Sequence, residues 1–290
     1  MITFRNYIQS LQEGGAISIG TAKAQPISTK NRKAAQEDVH GMLSDLHNSF
    51  QKATGKNLFG KDQKALTTKS AYSGSSAHLN NKDISDEDLH KVKPTMGDVD
   101  TQVSKEHMAD LHKHLTPGSK FGKYSVVGTK KHGAEVSALM KHENGEHHQI
   151  DFEGVDYHKE EPTEFESFAH SSPWEDNKAG IKGAAHKILL NAAGRDHTKF
   201  AITHGMRSRT DDTAPAIKDP RKMSEHLFGK DADHSLIHSF HGISQLVKKH
   251  IPAEHHQEIF DKFKSGIEQR GRSDSSDKAV AHLSKTLGVK

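Results

Sequence analysis

The chain has 290 residues with 41 basic and 38 acidic side chains, a formal net charge of +3. That near balance argues against a general nucleic-acid binder, and the absence of cysteine excludes disulfide staples and thiol catalysis. A hydrophobic fraction of 32% and a mean hydropathy of −0.80 predict a modest core, no signal peptide and no bilayer-spanning run.

In chain order, Phe4, Tyr7, Ile8 and Leu11 fall at helical spacing, so a short helix is expected over 3–13, ended by Gly14-Gly15. A small, polar arm follows through Pro26. Val39, Met42, Leu43, Leu46 and Phe50 predict a longer helix over 33–54 with Gly55 as its stop. Residues 56–72 read as a basic connector into the small turn Gly74-Ser75-Ser76, and Ile84 to Leu89 as a short acidic helix or turn.

Next, Gly97-Asp98-Val99-Asp100 opens the alternating run Val99, Thr101, Val103. On a strand, positions i and i+2 share a face, so Asp98 and Asp100 are expected to point together. Two carboxylates held that close repel unless a cation lies between them, and oxygen ligands of this kind suit magnesium or manganese.

Ser104, Met108, Leu111 and Leu115 then signal a helix that Pro117-Gly118 ends. Strands are expected at 124–127 and 134–140, with a tight turn at Glu143-Asn144-Gly145 leading into a strand from His148 to Glu153. In that strand Asp151 is flanked by Ile150 and Phe152 on the opposite face. If it lies beside the first strand, three acids converge, enough for two divalent ions, or for one ion with the third acid as base.

Residues 154–177 read as loop, where Trp174 is expected to anchor the loop rather than stack on a base. A helix is expected over 178–193 and a strand at 200–202. Arg207 and Arg209 sit in a flexible context, as phosphate grips or as a solvated loop, with an open loop continuing through Pro220. The last third shows helical periodicity from Leu236 to Val247, after Pro252, and at Val280, Leu283 and Leu287. The 24 histidines form no spacing typical of zinc sites; His147-His148 and His255-His256 are adjacent, so their side chains diverge. No GxxxxGK[ST] loop and no dinucleotide fingerprint occurs.

The combination of Gly74-Ser75, the pair Asp98-Val99-Asp100 and Ile150-Asp151-Phe152 resembles the DNA polymerase beta-like nucleotidyltransferase superfamily, over roughly residues 66–205. The wording GDVDTQV and QIDFE and the opening MITFRNYIQSLQEGG also resemble nucleotidyltransferase-like proteins of large tailed bacteriophages. The chain departs from the family pattern in one respect: Gly74 and Asp98 are 24 positions apart, longer than in many members.

The resemblance implies an α+β fold, with a small mixed or antiparallel nucleotidyltransferase-type sheet flanked by helices and a C-terminal helical bundle. The divisions expected are a helical arm over 1–60, the core over 61–210 and a helical region over 211–290. It implies transfer of a nucleoside monophosphate from a nucleoside triphosphate to a hydroxyl acceptor of unknown identity, with magnesium or manganese as cofactor and pyrophosphate released. Asp98, Asp100 and Asp151 would be the catalytic and metal-holding residues. Gly74, Ser75, Ser76, Lys131, Arg207 and Arg209 would meet the nucleotide, with Lys130 a further cation.

Expected partners are the nucleotide, and phage particle proteins or a second copy through the helical regions, with no membrane. The expected location is the host cytoplasm, with incorporation in a virion left open. Two other classes stay open: a phage structural or assembly protein that keeps the fold with little or no catalysis, and a phosphodiesterase or nuclease using the same acids on water.

Overall fold

The computed structural model of the protein describes residues 17–182, 184–271 and 273–290. The helix expected over 3–13 lies outside the described residues. The chain divides into two units, the described residues up to Thr163 forming one and those from Glu164 onward the other. Each has its own buried apolar cluster. The expected divisions at 60 and 210 differ from this: the long N-terminal helix shares the core of the sheet, and the α/β part ends at 163.

In the first unit, α1 (Arg32–Thr54) forms where the apolar stripe predicts it. The Asn31 side chain accepts the Ala34 N–H at its start, and Gly55, at φ 73°, closes it in the left-handed region that glycine enters without steric cost. Val39, Met42, Leu43, Leu46 and Phe50 are buried against one face of a five-stranded sheet. The short α2 (Asp86–Val92) fills the long insertion, capped by Ser85, whose side chain accepts the Asp88 N–H.

The strands of the sheet are β1 (Asp98–Ser104), β2 (Lys120–Phe121), β3 (Tyr124–His132), β4 (Glu135–His142) and β5 (His147–Val155), and α3 (Met108–His114) follows β1. Their order is β1-β5-β4-β3-β2. β1 runs parallel to β5 and the other pairings are antiparallel, so the sheet is mixed. Val99, Val103, Val136, Ala138, Met140, Ile150 and Phe152 point into the core, and the alternate residues line the other face. The expected polar arm is in part a strap along this sheet: Gln25 N donates to His147 O (2.6 Å) and Ile17 N to Gln149 Oε1 (2.8 Å).

Arg32 ties the insertion down. Its buried guanidinium donates to Leu79 O (2.9 Å), Ile84 O (2.6 Å) and Asn81 O. The bonds to the Leu79 and Ile84 carbonyls are buried, so these two acceptors are left unpaired if the donor goes. Arg32→Met is expected to cost about 3 kcal/mol or more, from about 1–3 kcal/mol per buried acceptor left unpaired. Arg32→Lys will recover only part, because an ammonium cannot reproduce the planar fork. Urea denaturation of the three proteins checks this, and equal midpoints would refute it.

The second unit is mainly helical. α4 (Glu164–Ala169) and α5 (Trp174–Lys178) occupy the segment expected to be loop. Their runs are too short for periodicity to register, but in α4 Phe165, Phe168 and Ala169 are buried, and that burial stabilises the turn. α6 (Ala184–Ala193) begins later than expected, after Gly180 breaks the run at φ 71°. β6 (Thr198–Ala201) pairs antiparallel with β7 (Gly205–Ser208).

α7 (Pro220–Phe228) starts at a proline capped by Asp219, where an open loop was expected to end. α8 (Phe240–His250), α9 (His256–Arg270) and α10 (Asp274–Leu287) complete the unit, matching the expected C-terminal periodicity. Among the described residues no helix is long and apolar enough to cross a membrane.

Candidate metal centre

The polar face of the sheet carries the acids. Parallel pairing of β1 with β5 sets Asp98 beside Gln149, Asp100 beside Asp151 and Gln102 beside Glu153. Antiparallel pairing of β4 with β5 sets Ser137 beside Asp151 and Glu135 beside Glu153. Register partners point to the same side, so Asp98, Asp100, Asp151, Glu153 and Glu135 share one face. Carboxylate oxygens of Asp98, Asp100 and Asp151 all lie within 4.8 Å of one another.

The Gly-Ser turn is built onto the free edge of β1. Ser73 N donates to Asp100 O (3.2 Å) and Gln102 N to Ala71 O (2.6 Å), so Ala71–Ser73 pairs antiparallel with that edge. Residues Gly74–Asn80 then coil as a tight 3₁₀ turn over the acids. Asp100 N donates to the buried Ser76 hydroxyl (2.7 Å), and Ser73 Oγ donates to Glu153 Oε2 (2.9 Å).

Gly74, at φ 52°, passes so close that a Cβ there would stand 2.2 Å from Asp100 Oδ2. Gly74→Ala therefore meets both a left-handed backbone and a displaced carboxylate. It is expected to destabilise the protein by about 1–2 kcal/mol from the backbone alone, and to weaken cation binding by about tenfold or more as Asp100 moves. Urea denaturation and calorimetry with Mn²⁺ measure the two effects; wild-type values in both would contradict this geometry.

Gln149 holds the third acid. Its Nε2 donates to both oxygens of Asp151 (3.1 and 2.8 Å), while its Oε1 accepts the Ile17 N–H. Even so, burial pushes the Asp151 carboxyl up to about 7. The charges of Glu135 and Asp98 add to the rise, and hydrogen bonds from Gln149 and Ser137 oppose it. Asp100 is held well above the usual carboxylate range by burial, then by Asp98, Glu153 and Asp151, with Lys93 pulling the other way. Burial also raises Glu135, against a hydrogen bond from Ser137 and with further repulsion from Glu153.

This donor set fits a hard divalent cation. The ligands are carboxylate oxygens with neither sulfur nor imidazole among them, and their mutual repulsion is the cost a cation removes.

Of the residues expected to meet a nucleotide, Gly74 and Ser75 lie beside the acids, and the Ser75 hydroxyl makes no hydrogen bond among the described residues. Ser76 is fully buried and stands behind Asp100 as a backbone support rather than in the open site. Lys131 is opposite Val136, on the core-side face, whereas Lys130 is opposite Ser137, on the acid face.

Arg207 and Arg209 belong to the other unit. Their segment is ordered rather than flexible: Arg207 pairs with Lys199, and Arg209 donates to His197 O through its backbone and to Thr198 O through Nε. Residues the sequence reading missed are Glu153, Glu135, Gln149 and Lys93. Glu153 carried a signal, since it lies at i+2 from Asp151. Comparisons with family models, with curated proteins and with solved structures find no match to this chain.

Proposed function

We propose that the protein is a metal-dependent nucleotidyltransferase that moves a nucleoside monophosphate from a nucleoside triphosphate to a hydroxyl acceptor. The observation that carries this reading is the convergence of Asp98, Asp100 and Asp151 within 4.8 Å, directly beside the Gly74 backbone. Asp98 and Asp100 would hold the cation that accompanies the nucleotide, and Asp151 would complete the ligand set for a second. Magnesium or manganese bound there supplies charge neutralisation of the phosphates and a lowered pKa for the acceptor hydroxyl.

The chain's own residues do the rest. Gly74 lets the backbone approach a phosphate with no Cβ in the way. Ser75 offers its hydroxyl as a donor, and Lys130 faces the same side of the sheet as the acids. Gln149 fixes the plane of the Asp151 carboxylate. The acceptor oxygen forms the new bond to the α-phosphorus as the bond to pyrophosphate breaks. The hydroxyl proton passes to a carboxylate of the cluster.

The test uses α-phosphate-labelled nucleoside triphosphates with Mg²⁺ and three acceptors: a short RNA, a hexose and a hydroxyl-bearing peptide. Label on an acceptor together with released pyrophosphate is the expected result. Release of free mononucleotide with no label transferred would assign hydrolysis instead.

A further inference from the structure

Part of the acid face is covered by the chain's own N-terminal strap. Ser18–Ile19 pairs antiparallel with Ala22–Lys23 around Gly20, at φ 61°, and this small hairpin lies against β3 and β5. Leu139, an apolar side chain on the acid face, stands in register between Gly128 and Gln149 and is fully buried. Ile19 packs on Gly128, where a Cβ would stand 2.8 Å from Ile19 Cδ1. Glycine at 128 is what lets the hairpin come down onto the sheet.

The strap is anchored at its downstream end. After Pro26, Ile27 and Thr29 are buried, and the Thr29 N–H donates to Pro94 O (3.1 Å). Residues 18–26 are half-buried or exposed, and a hairpin this short is marginal by itself. Three hydrogen bonds tie it to β5: Gln25 N to His147 O (2.6 Å), His148 Nδ1 to Gln25 O (3.1 Å) and Ile17 N to Gln149 Oε1 (2.8 Å).

The last of these reaches the metal centre. The Ile17 N–H can only donate, so it takes the oxygen of the Gln149 amide. That turns Nε2 towards Asp151, where it donates to both carboxylate oxygens. A flipped amide would set oxygen against carboxylate and NH₂ against N–H, repulsive at both ends. One backbone N–H of the strap therefore decides which end of Gln149 meets the acid. These bonds are buried, so loss of the Ile17 N–H leaves the Gln149 oxygen unpaired. A carboxylate offers about four lone-pair sites, so the Gln149 bonds leave room for a cation.

We infer that Gln149 is a positioning residue for the cation site and that the 17–25 hairpin sets it, so that docking of the hairpin and binding of a divalent cation favour each other. With the hairpin docked, Asp151 is held in one plane with its free lone pairs presented; with it lifted, that orientation is lost. Linkage makes the effect mutual: the cation holds the hairpin down by the factor by which the hairpin tightens the cation. This coupling rests on the metal-centre part of the function proposed above and needs no nucleotide.

Two measurements on the full chain test it. Mn²⁺ calorimetry compares wild type with Gln149→Leu and with Ile19→Asn, which alters the hairpin and no carboxylate. Both variants should bind Mn²⁺ about fivefold more weakly or worse, the lower end of usual coupling. Amide exchange followed by NMR reads the reverse direction in the wild type, so it needs no variant to fold. Saturating Mg²⁺ should slow exchange at Ile17 and Gln25 by about fivefold or more. It should leave Gly122 unchanged, whose N–H is held by Asp45 beside α1. In Gln149→Leu the slowing should vanish, whereas a merely structural Gln149 would leave Ile17 exchange indifferent to the cation in every protein. Equal Mn²⁺ affinity in all three proteins, or Ile17 exchange unmoved by Mg²⁺ in a wild type that binds the cation, would overturn the coupling alone. A wild type that binds no cation would overturn the metal centre with it.

Discussion

Asp100→Asn will abolish metal-dependent nucleotide binding and, at the same time, make the metal-free protein more stable at pH 8. Both effects have one cause. Asp100 is the most crowded of the acids, half-buried and facing Asp98, Glu153 and Asp151. An amide keeps the shape and the backbone bond from Asp100 N to Ser76 Oγ, but removes the charge that repels its neighbours and attracts a cation.

Turnover should fall by at least about 10²-fold, the scale of removing one preorganised electrostatic group, while helical content stays unchanged. Asp98→Asn and Asp151→Asn should lose activity similarly. Full activity in all three variants would place the site elsewhere.

The second large effect is a pH-dependent difference between wild type and Asp151→Asn. The folded carboxyl titrates near 7 against 3.8 in the unfolded chain. The folded state therefore holds the proton more tightly, and stability is lost as pH rises from about 4 towards 7. At 1.36 kcal/mol per unit, Asp151 alone costs the metal-free protein about 3 kcal/mol between pH 5 and pH 8.

The wild-type profile by itself will not display this. Burial lowers the imidazoles of His47, His107, His114, His148, His238 and His282, and each such group destabilises the fold as pH falls below its unfolded value of 6.5. Those losses oppose the carboxylate trend over pH 5–6.5. Subtracting the Asp151→Asn profile removes them, because they are common to both proteins. The difference measured by urea denaturation in chelator should grow by about 3 kcal/mol from pH 5 to 8 and shrink when Mg²⁺ is added. A difference that stays constant with pH would show that Asp151 is not held in a repelling cluster.

The pair Asp98 and Asp100 was legible because strand parity is local: i and i+2 share a face wherever the strand sits. The same rule, carried two positions beyond Asp151, would have added Glu153. Gln149, two positions before Asp151, follows from the same rule, but Glu135 does not. Placing Glu135 on the acid face requires the register of β4 against β5, which is not local.

Lys131 shows how one residue changes the outcome. Alternation from the buried Tyr124 and Val126 puts Lys131 on the acid face. The register shift between Val126 and Gly128 inserts one extra residue and turns Lys131 to the other side, bringing Lys130 round instead. The long helix α1 was visible in its stripe of apolar residues, but its membership of the sheet's core was not, since 55 positions separate Leu43 from Asp98, where the sheet begins, and neither sequence run names its packing partner. The short helix α4 owes its form to burial of Phe165 and Phe168, which composition in a proline-containing stretch conceals.

If the carboxylate face, a divalent cation and a nucleoside triphosphate form one site, nucleotide binding depends on both the cation and the acids. Calorimetry tests it directly, with ATP, GTP, CTP and UTP titrated into wild type and into Asp98→Asn/Asp100→Asn, each with Mg²⁺ and with chelator. At least one nucleotide should bind, and its binding should require both the cation and the two aspartates. Nucleotide binding that survives the double substitution or the chelator, or no binding to any of the four, would contradict it.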